Sequence, residues 1–182
     1  NLLRNSNFAD GTSYWSSENI TIDTSRKYNG HNSAKISVSG RTSNGWLGTT
    51  QRFIDNVPSG KKFTGSLWYY VADKSTFDKS FTLELKGRKT GVSGEVGLAS
   101  GKIQASNLVQ GAWTRLTVTG TTDCAWDYIY AFPWVEQNGT IWFTDIQVEE
   151  GPIATLWSPH PSEIYDGITR IDKDGIKVFH TS

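Results

Sequence analysis

The sequence predicts an all-β fold, an antiparallel β-sandwich of the jelly-roll kind followed by a short C-terminal tail. Three observations carry that expectation. No window longer than a turn or two keeps the apolar period of a helix, whereas period-2 runs bounded by Gly, Pro, Asn or Ser recur along the chain. Those runs number roughly eight or nine, near the ~8–12-residue spacing of sandwiches and barrels. The composition is that of short strands and turns, with 18 Gly and with 8 Trp, 7 Tyr and 8 Phe, more tryptophan than a core of this size requires. A buried indole N–H needs a partner, so some of the eight are expected at the surface with a reason to be there.

The elements follow in order. Strands are expected at residues 19–23, at 33–38 (Ser-Ala-Lys-Ile-Ser-Val) and at 45–53. The turn Val57-Pro58-Ser59-Gly60 introduces a run over 62–71. Over 81–86, Phe81, Leu83 and Leu85 alternate with Thr82, Glu84 and Lys86. Residues 102–103 read as a weak strand and 113–119 as a strong one, and runs over 128–135 and 140–148 flank Gln137-Asn138-Gly139 as a predicted hairpin. Near residue 158 the pattern stops. Ser158-Pro159-His160-Pro161-Ser162 is a stiff extended linker, because two prolines forbid regular pairing. The expected organisation is therefore a module over 1–157 and, over 158–182, a linker and the start of a following fibre-like module, whose apolar runs around Asp172-Lys173-Asp174-Gly175 read as a further hairpin.

Charge and length narrow the class. Lys+Arg and Asp+Glu are equal at 18 each, without the basic excess of a nucleic-acid binder. No apolar run reaches the ~18 residues of a membrane span. At 182 residues one core removes roughly 70% of the unfolded chain's surface from water, so neither disulfides nor metals are needed to hold it. Cys124 is alone and forms no internal disulfide. The chain begins at Asn1 and contains no Met, which reads as an excised module or processed fragment.

Several segments resemble the jelly-roll carbohydrate-binding modules appended to glycosidases. Asn1-Leu2-Leu3-Arg4-Asn5-Ser6-Asn7-Phe8 is similar to their opening strand, and Gly30-His31-Asn32-Ser33-Ala34-Lys35-Ile36 to the glycine turn and strand that follow. Gly65-Ser66-Leu67-Trp68, Gly111-Ala112-Trp113-Thr114-Arg115-Leu116 and Phe143-Thr144-Asp145-Ile146-Gln147-Val148-Glu149 are similar to three later strands. The exit Val148-Glu149-Glu150-Gly151-Pro152-Ile153-Ala154-Thr155-Leu156-Trp157-Ser158-Pro159 resembles that of such modules in bacteriophage tail proteins. Residues 168–178 resemble the entry to a fibre-like region, the layout of accessory baseplate proteins of phages of lactic-acid bacteria. The resemblance covers about residues 1–180. It implies saccharide binding on the host envelope, hence a virion location and other tail or baseplate proteins as partners; the charge balance and the lack of an apolar span already speak for no nucleic-acid and no membrane partner.

A sugar site needs a flat apolar platform for the pyranose CH face and planar polar groups for the hydroxyls. Strand parity says where these lie. On 63–71, Phe63, Leu67, Tyr69 and Val71 make a core-like face and leave Trp68 and Tyr70 outside. The same parity puts Glu84 and Lys86 outside. On 126–136, the core candidates Ile129, Ala131, Pro133 and Val135 leave Trp126, Tyr128, Tyr130, Phe132, Trp134 and Glu136 on the other side. The expected carbohydrate-binding set is Trp68, Tyr70, Glu84, Lys86, Tyr128, Tyr130 and Trp134 on one sheet, with Trp46, held in a glycine-flanked loop, as a rim clamp. The competing reading is that these rings fill the space between the sheets. Trp15 and Trp157, near the ends, are expected to close the sandwich.

The similar modules often hold a structural calcium at the last strand, which implies Asp145 with Asp10 as metal ligands. Calcium wants six to eight oxygens, and the acidic residue that usually follows the Phe matched by Phe8 is replaced by Ala9. The competing reading is that Asp145 hydrogen-bonds a turn. No catalytic constellation is visible. Glu84, Glu95, Asp127 and Glu136 show no paired spacing, His31, His160 and His180 form no metal cluster or triad, and Cys124 has no evident His partner. Two functions remain, a non-enzymatic saccharide-binding module and a structural connector docking on other tail proteins without sugar binding.

Overall fold

A computed structural model describes residues 1–163, together with backbone strands at Thr169–Asp172 and Gly175–Val178. Ten strands build the sandwich: β1 (Thr21–Tyr28), β2 (His31–Val38), β3 (Leu47–Gly48), β4 (Gln51–Val57), β5 (Lys62–Tyr70), β6 (Ser80–Lys89), β7 (Val96–Gln104), β8 (Thr114–Thr121), β9 (Trp126–Val135) and β10 (Gly139–Glu150). The helical content among the described residues is two 3-10 turns, Lys74–Thr76 and Ala105–Asn107. One sheet has the order β1-β2-β10-β5-β8; the other runs β3-β9-β6-β7, with β4 also pairing β9. The pairings between these strands are antiparallel. The predicted all-β sandwich is the fold observed.

Alternation sets the core. Phe63, Leu67 and Tyr69 of β5 meet Phe81, Leu83 and Leu85 of β6, with Ile129, Ala131 and Val135 of β9 and Ile141, Phe143, Ile146 and Val148 of β10, all buried. Tyr69 and Phe143 each hold their ring about one ring-width from Phe81, with centroids 6.0 and 6.2 Å apart. In β10 the pairing slips by one residue between Thr144 and Gln147, and Asp145, at φ 51°, is the extra residue of this bulge.

Five sequence expectations are corrected. The run over 45–53 is two strands, broken at Thr49 and Thr50. The weak strand at 102–103 is the end of the nine-residue β7. Its glycines hid it, because Gly lowers strand propensity. Gly101, with Gly120 of β8, serves a close approach of β7 to β8, the edge strand of the other sheet: a Cβ at Gly101 would lie 3.2 Å from Leu116 Cδ1 and one at Gly120 2.8 Å from Ala99 Cβ. The expected hairpin over 128–148 is a crossover, since β9 and β10 belong to different sheets. Its turn is tied across the sandwich, Gln137 Nε2 and Asn138 Nδ2 both donating to the Arg41 carbonyl at 2.9 Å. Trp126, expected outside, is 1% exposed, because a register shift between Arg88 and Lys89 interrupts the parity of the ladder at its end. The first eight residues form turns in place of a strand, with Asn5 at φ 45° and Phe8 at φ 54°. They dock beside β10 through Leu2 N–H to the Val148 carbonyl (2.8 Å) and Ile146 N–H to the Ser6 carbonyl (3.2 Å).

Trp15 and Trp157 both act at this end. Trp15 is buried and donates its Nε1–H to the Asn5 carbonyl at 3.2 Å, and Trp157 donates to Ser6 Oγ at 3.0 Å. The exit segment stays docked, with Ser158 N–H on Gln147 Oε1 (2.8 Å) and the Glu163 carboxylate accepting from the Asn5 N–H. Thr169–Asp172 and Gly175–Val178 pair antiparallel as a hairpin, Ile171 opposite Ile176.

Candidate functional site

The outward parity of β9 places four rings in a row. Tyr128, Tyr130, Phe132 and Trp134 follow one another at centroid distances of 6.4, 6.2 and 6.2 Å, the first pair stacked at 26° and the others tilted. At about 3.3 Å per residue the row is roughly 20 Å long, the reach of several linked sugar rings. The neighbouring strands supply polar groups in register: Thr82, Glu84, Lys86 and Arg88 of β6 lie opposite Trp134, Phe132, Tyr130 and Tyr128, and Arg52 of β4 lies opposite Tyr130 on the other side. Arg52 also sits over the Tyr128 ring, 4.3 Å from its centroid, and its Nε donates to Asp55.

The polar tips are fixed. Trp134 Nε1 donates to Glu84 Oε2 at 3.0 Å, while the Tyr128 and Tyr130 hydroxyls donate to the two oxygens of Glu95 at 2.8 and 2.7 Å. Those phenol hydrogen bonds, Tyr130's first, hold the Glu95 carboxyl below its ordinary value. Burial and the carboxylate together push Tyr130 well above the usual phenol range. Rings clamped in this way keep their faces in one orientation, the requirement of a stacking platform. At the far end Glu136 accepts from Ser80 Oγ (2.7 Å), Asn44 Nδ2 (3.0 Å) and Lys102 Nζ (2.7 Å). The Lys102 contact leads the causes that lower its carboxyl. The Glu136 carbonyl receives the N–H of Trp46 at 3.3 Å, which places Trp46, 54% exposed at φ 45°, at the Trp134 end of the row.

Six of the expected binding residues therefore gather here, Trp46, Glu84, Lys86, Tyr128, Tyr130 and Trp134, but Trp134 is corrected from an exposed ring to a buried one: at 6% exposed it anchors the end of the row. Trp68 and Tyr70 do not. They point outward as parity required, but from β5, which lies in the other sheet, so the expected single face is divided between the two sides of the sandwich. Nor do they form an open row. Tyr28 stacks on Trp68 at 4.5 Å and 26°, Trp113 leans on Tyr70 at 5.7 Å, and Arg26 is held between Tyr70 and Trp142 at 4.2 and 4.4 Å. Sequence reading missed Arg52, Glu95 and this Arg26 cluster. Glu95 follows a Gly-Val-Ser-Gly turn that carries no periodic signal.

The expected calcium ligands are committed elsewhere. Asp145 is 4% exposed and its Oδ1 lies 2.6 Å from His31 Nδ1, so a ring nitrogen holds the oxygen a cation would take. Near Asp10, the carbonyls of Asp10, Gly11 and Ser13 turn to the Asn5 amide nitrogen at 3.2, 3.1 and 3.0 Å. Among the described residues no group of three or more His, Cys, Asp or Glu side chains is placed to hold a metal. These residues, as arranged, do not fit an ion that wants six to eight oxygens.

Comparison with solved structures finds the same sandwich. The CBM22-2 xylan-binding domain of Paenibacillus barcinonensis Xyn10C is 13% identical over 83% of this chain and all of its own, with a TM-score of 0.61. The CBM22-1–GH10 portion of Clostridium thermocellum xylanase 10B is 14% identical over 78% of this chain, which spans 27% of that one, with a TM-score of 0.57. The enzymatically active domain of bacteriophage CBA120 tailspike protein 4 is 15% identical over 83% of this chain and 21% of its own, with a TM-score of 0.55. At these identities the likeness is one of fold. Comparison with curated proteins finds no match. A family model does match, over residues 1–128 and across all of β1 to β8: the chain belongs to the carbohydrate-binding domain family.

Proposed function

We propose that this chain is a non-catalytic module that grips a polysaccharide along the row of Tyr128, Tyr130, Phe132 and Trp134, and that in its parent protein it attaches a bacteriophage tail or baseplate to host cell-surface polysaccharide. The row itself carries the first part: the half-buried rings of Tyr128, Tyr130 and Phe132, flanked by Glu84, Lys86, Arg88 and Arg52 and ending on the buried Trp134, present stacking faces and planar hydrogen-bonding groups together. The family supports a saccharide as ligand. The C-terminal exit sequence and the tailspike likeness support the phage setting. Water competes for every sugar hydroxyl on an open face, so one copy should bind at about micromolar to millimolar, or roughly −8 to −4 kcal/mol. Several copies on a particle would add avidity.

Affinity electrophoresis in gels containing xylan, a mixed-linkage glucan or purified cell-wall polysaccharide of a lactic-acid bacterium tests the reading. At least one polymer should retard the chain, and Phe132→Ala should restore free mobility with an unchanged melting temperature. A chain that none retards, yet that binds isolated tail proteins, is the structural connector instead.

A further inference from the structure

The sheet opposite the ring row carries a second, differently shaped feature. A cavity of about 260 Å³ opens where β5, β8 and the β10 bulge meet the exit segment, lined by Tyr28, His31, Trp68, Arg115, Asp145 and Trp157. Its volume falls just below the ~300–1,000 Å³ of drug-sized ligand sites, so it suits one sugar ring and not an extended chain. Its walls are held in place. Tyr28 backs Trp68, and Trp157 meets the His31 ring edge-on at 4.6 Å with its own Nε1 fixed on Ser6. Leu156, 86% exposed, stands at the mouth.

The charges are unevenly spent. Asp145 is taken by His31 at 2.6 Å. Arg115 gives Nη2 to Ser66 Oγ at 3.1 Å and to the Thr155 carbonyl, and makes no ion pair with a described residue. Its Nε is buried and has no hydrogen-bond partner among the described residues. A half-buried guanidinium with no carboxylate, beside two indoles, is complementary to a ring that carries an apolar CH face and a carboxylate.

We infer that this cavity is a second saccharide site, independent of the ring row, that takes a single terminal acidic sugar of the hexuronic class. The ring packs against Trp68 and Trp157 and its carboxylate accepts from Arg115. The row would hold the polymer backbone and this cavity an acidic terminus or side branch.

Titration of the whole chain with methyl β-glucuronoside and methyl β-glucoside, followed by the indole N–H resonances in two-dimensional NMR, tests this. The glucuronoside should shift the Trp68 and Trp157 signals and leave Trp134 in place. The glucoside should bind at least about tenfold more weakly, the loss expected for one charge-assisted hydrogen bond. Arg115→Gln should abolish the difference between the two sugars, and Arg115→Lys should retain part of it. Equal binding of both sugars, or shifts confined to Trp134, overturns the inference on the native chain, even if a variant fails to fold. Because Trp134 reports the row and Trp68 and Trp157 report the cavity, failure here leaves the polysaccharide reading standing, and the converse holds too.

Discussion

Glu95 shows how much one side chain settles at this site. It is a single carboxylate just before β7, yet it receives the hydroxyls of two rings in the row. Its carboxyl is held below 4.5 by those bonds, so in the folded state it stays ionised to lower pH than in the unfolded chain. The stabilisation it provides is complete above 4.5 and is lost as pH falls through the folded value. Polysaccharide affinity should therefore hold through the ordinary carboxylate range and fall only as pH passes through the lowered folded value of Glu95, and Glu95→Gln should bind several-fold more weakly at pH 7 and lose that acid limb; retardation measured on acidification from pH 7 checks both. His31 makes the second residue-scale case. With its partner's side chain 3% exposed, His31→Ala leaves the Asp145 carboxylate buried and unpaired, at a cost of about 1–3 kcal/mol in a denaturant melt. Since the donors do not fit calcium, melting curves with calcium and with chelator should superimpose, and a separation would show an ion bound where the imidazole now lies.

At the scale of the element, the sequence is informative about faces and silent about sheets. Parity on β5, β6 and β9 separated inward from outward side chains, Trp126 at the shifted end of β9 apart, because alternation is a property of a strand by itself. Whether Trp68 and Tyr130 share a face depends on which strands pair, and that is decided by long-range register. The Gln137-Asn138-Gly139 turn has hairpin chemistry but is spent on crossing between sheets, where Gly139 packs so closely that a Cβ would lie 2.5 Å from the Phe77 ring. Close approach also explains Gly87. It lies opposite Ile129, and a Cβ there would collide with the Tyr128 carbonyl oxygen, so β6 can run beside the ring row only with glycine at that point. Gly87→Ala should cost about 1–3 kcal/mol and weaken polysaccharide retention together, because it pushes Lys86 and Arg88 away from the rings they flank. A variant that loses stability but keeps full retention would show that β6 contributes no contact to the polymer.

At the scale of the whole molecule, the sandwich has two aromatic faces that do different work. Both look alike in sequence, each a set of Trp and Tyr among charged residues, and the difference lies in what covers them. On the β9 face the rings stand side by side, the tips of Tyr128, Tyr130 and Trp134 bonded to Glu95 and Glu84 and Arg52 over the Tyr128 ring. On the β5 face they are packed by side chains of β1: Tyr28 covers one face of Trp68, and Arg26 lies between Tyr70 and Trp142, where Asp23 accepts the Trp142 indole N–H at 2.8 Å. Rings and cations packed in this way contribute to cohesion of the sheet, each pairing worth about 0.5–2 kcal/mol. Paired substitutions should therefore separate the faces. Tyr70→Ala should lower the melting temperature by several degrees, in proportion to the contacts with Arg26, Trp113 and Trp142, and leave polysaccharide retention as in the parent. Phe132→Ala, which removes a half-buried ring that makes no polar contact, should do the reverse. Thermal melts and affinity electrophoresis on the same two proteins read both quantities, and a Tyr70→Ala variant that keeps its stability but loses retention would move the polymer site to the β5 sheet.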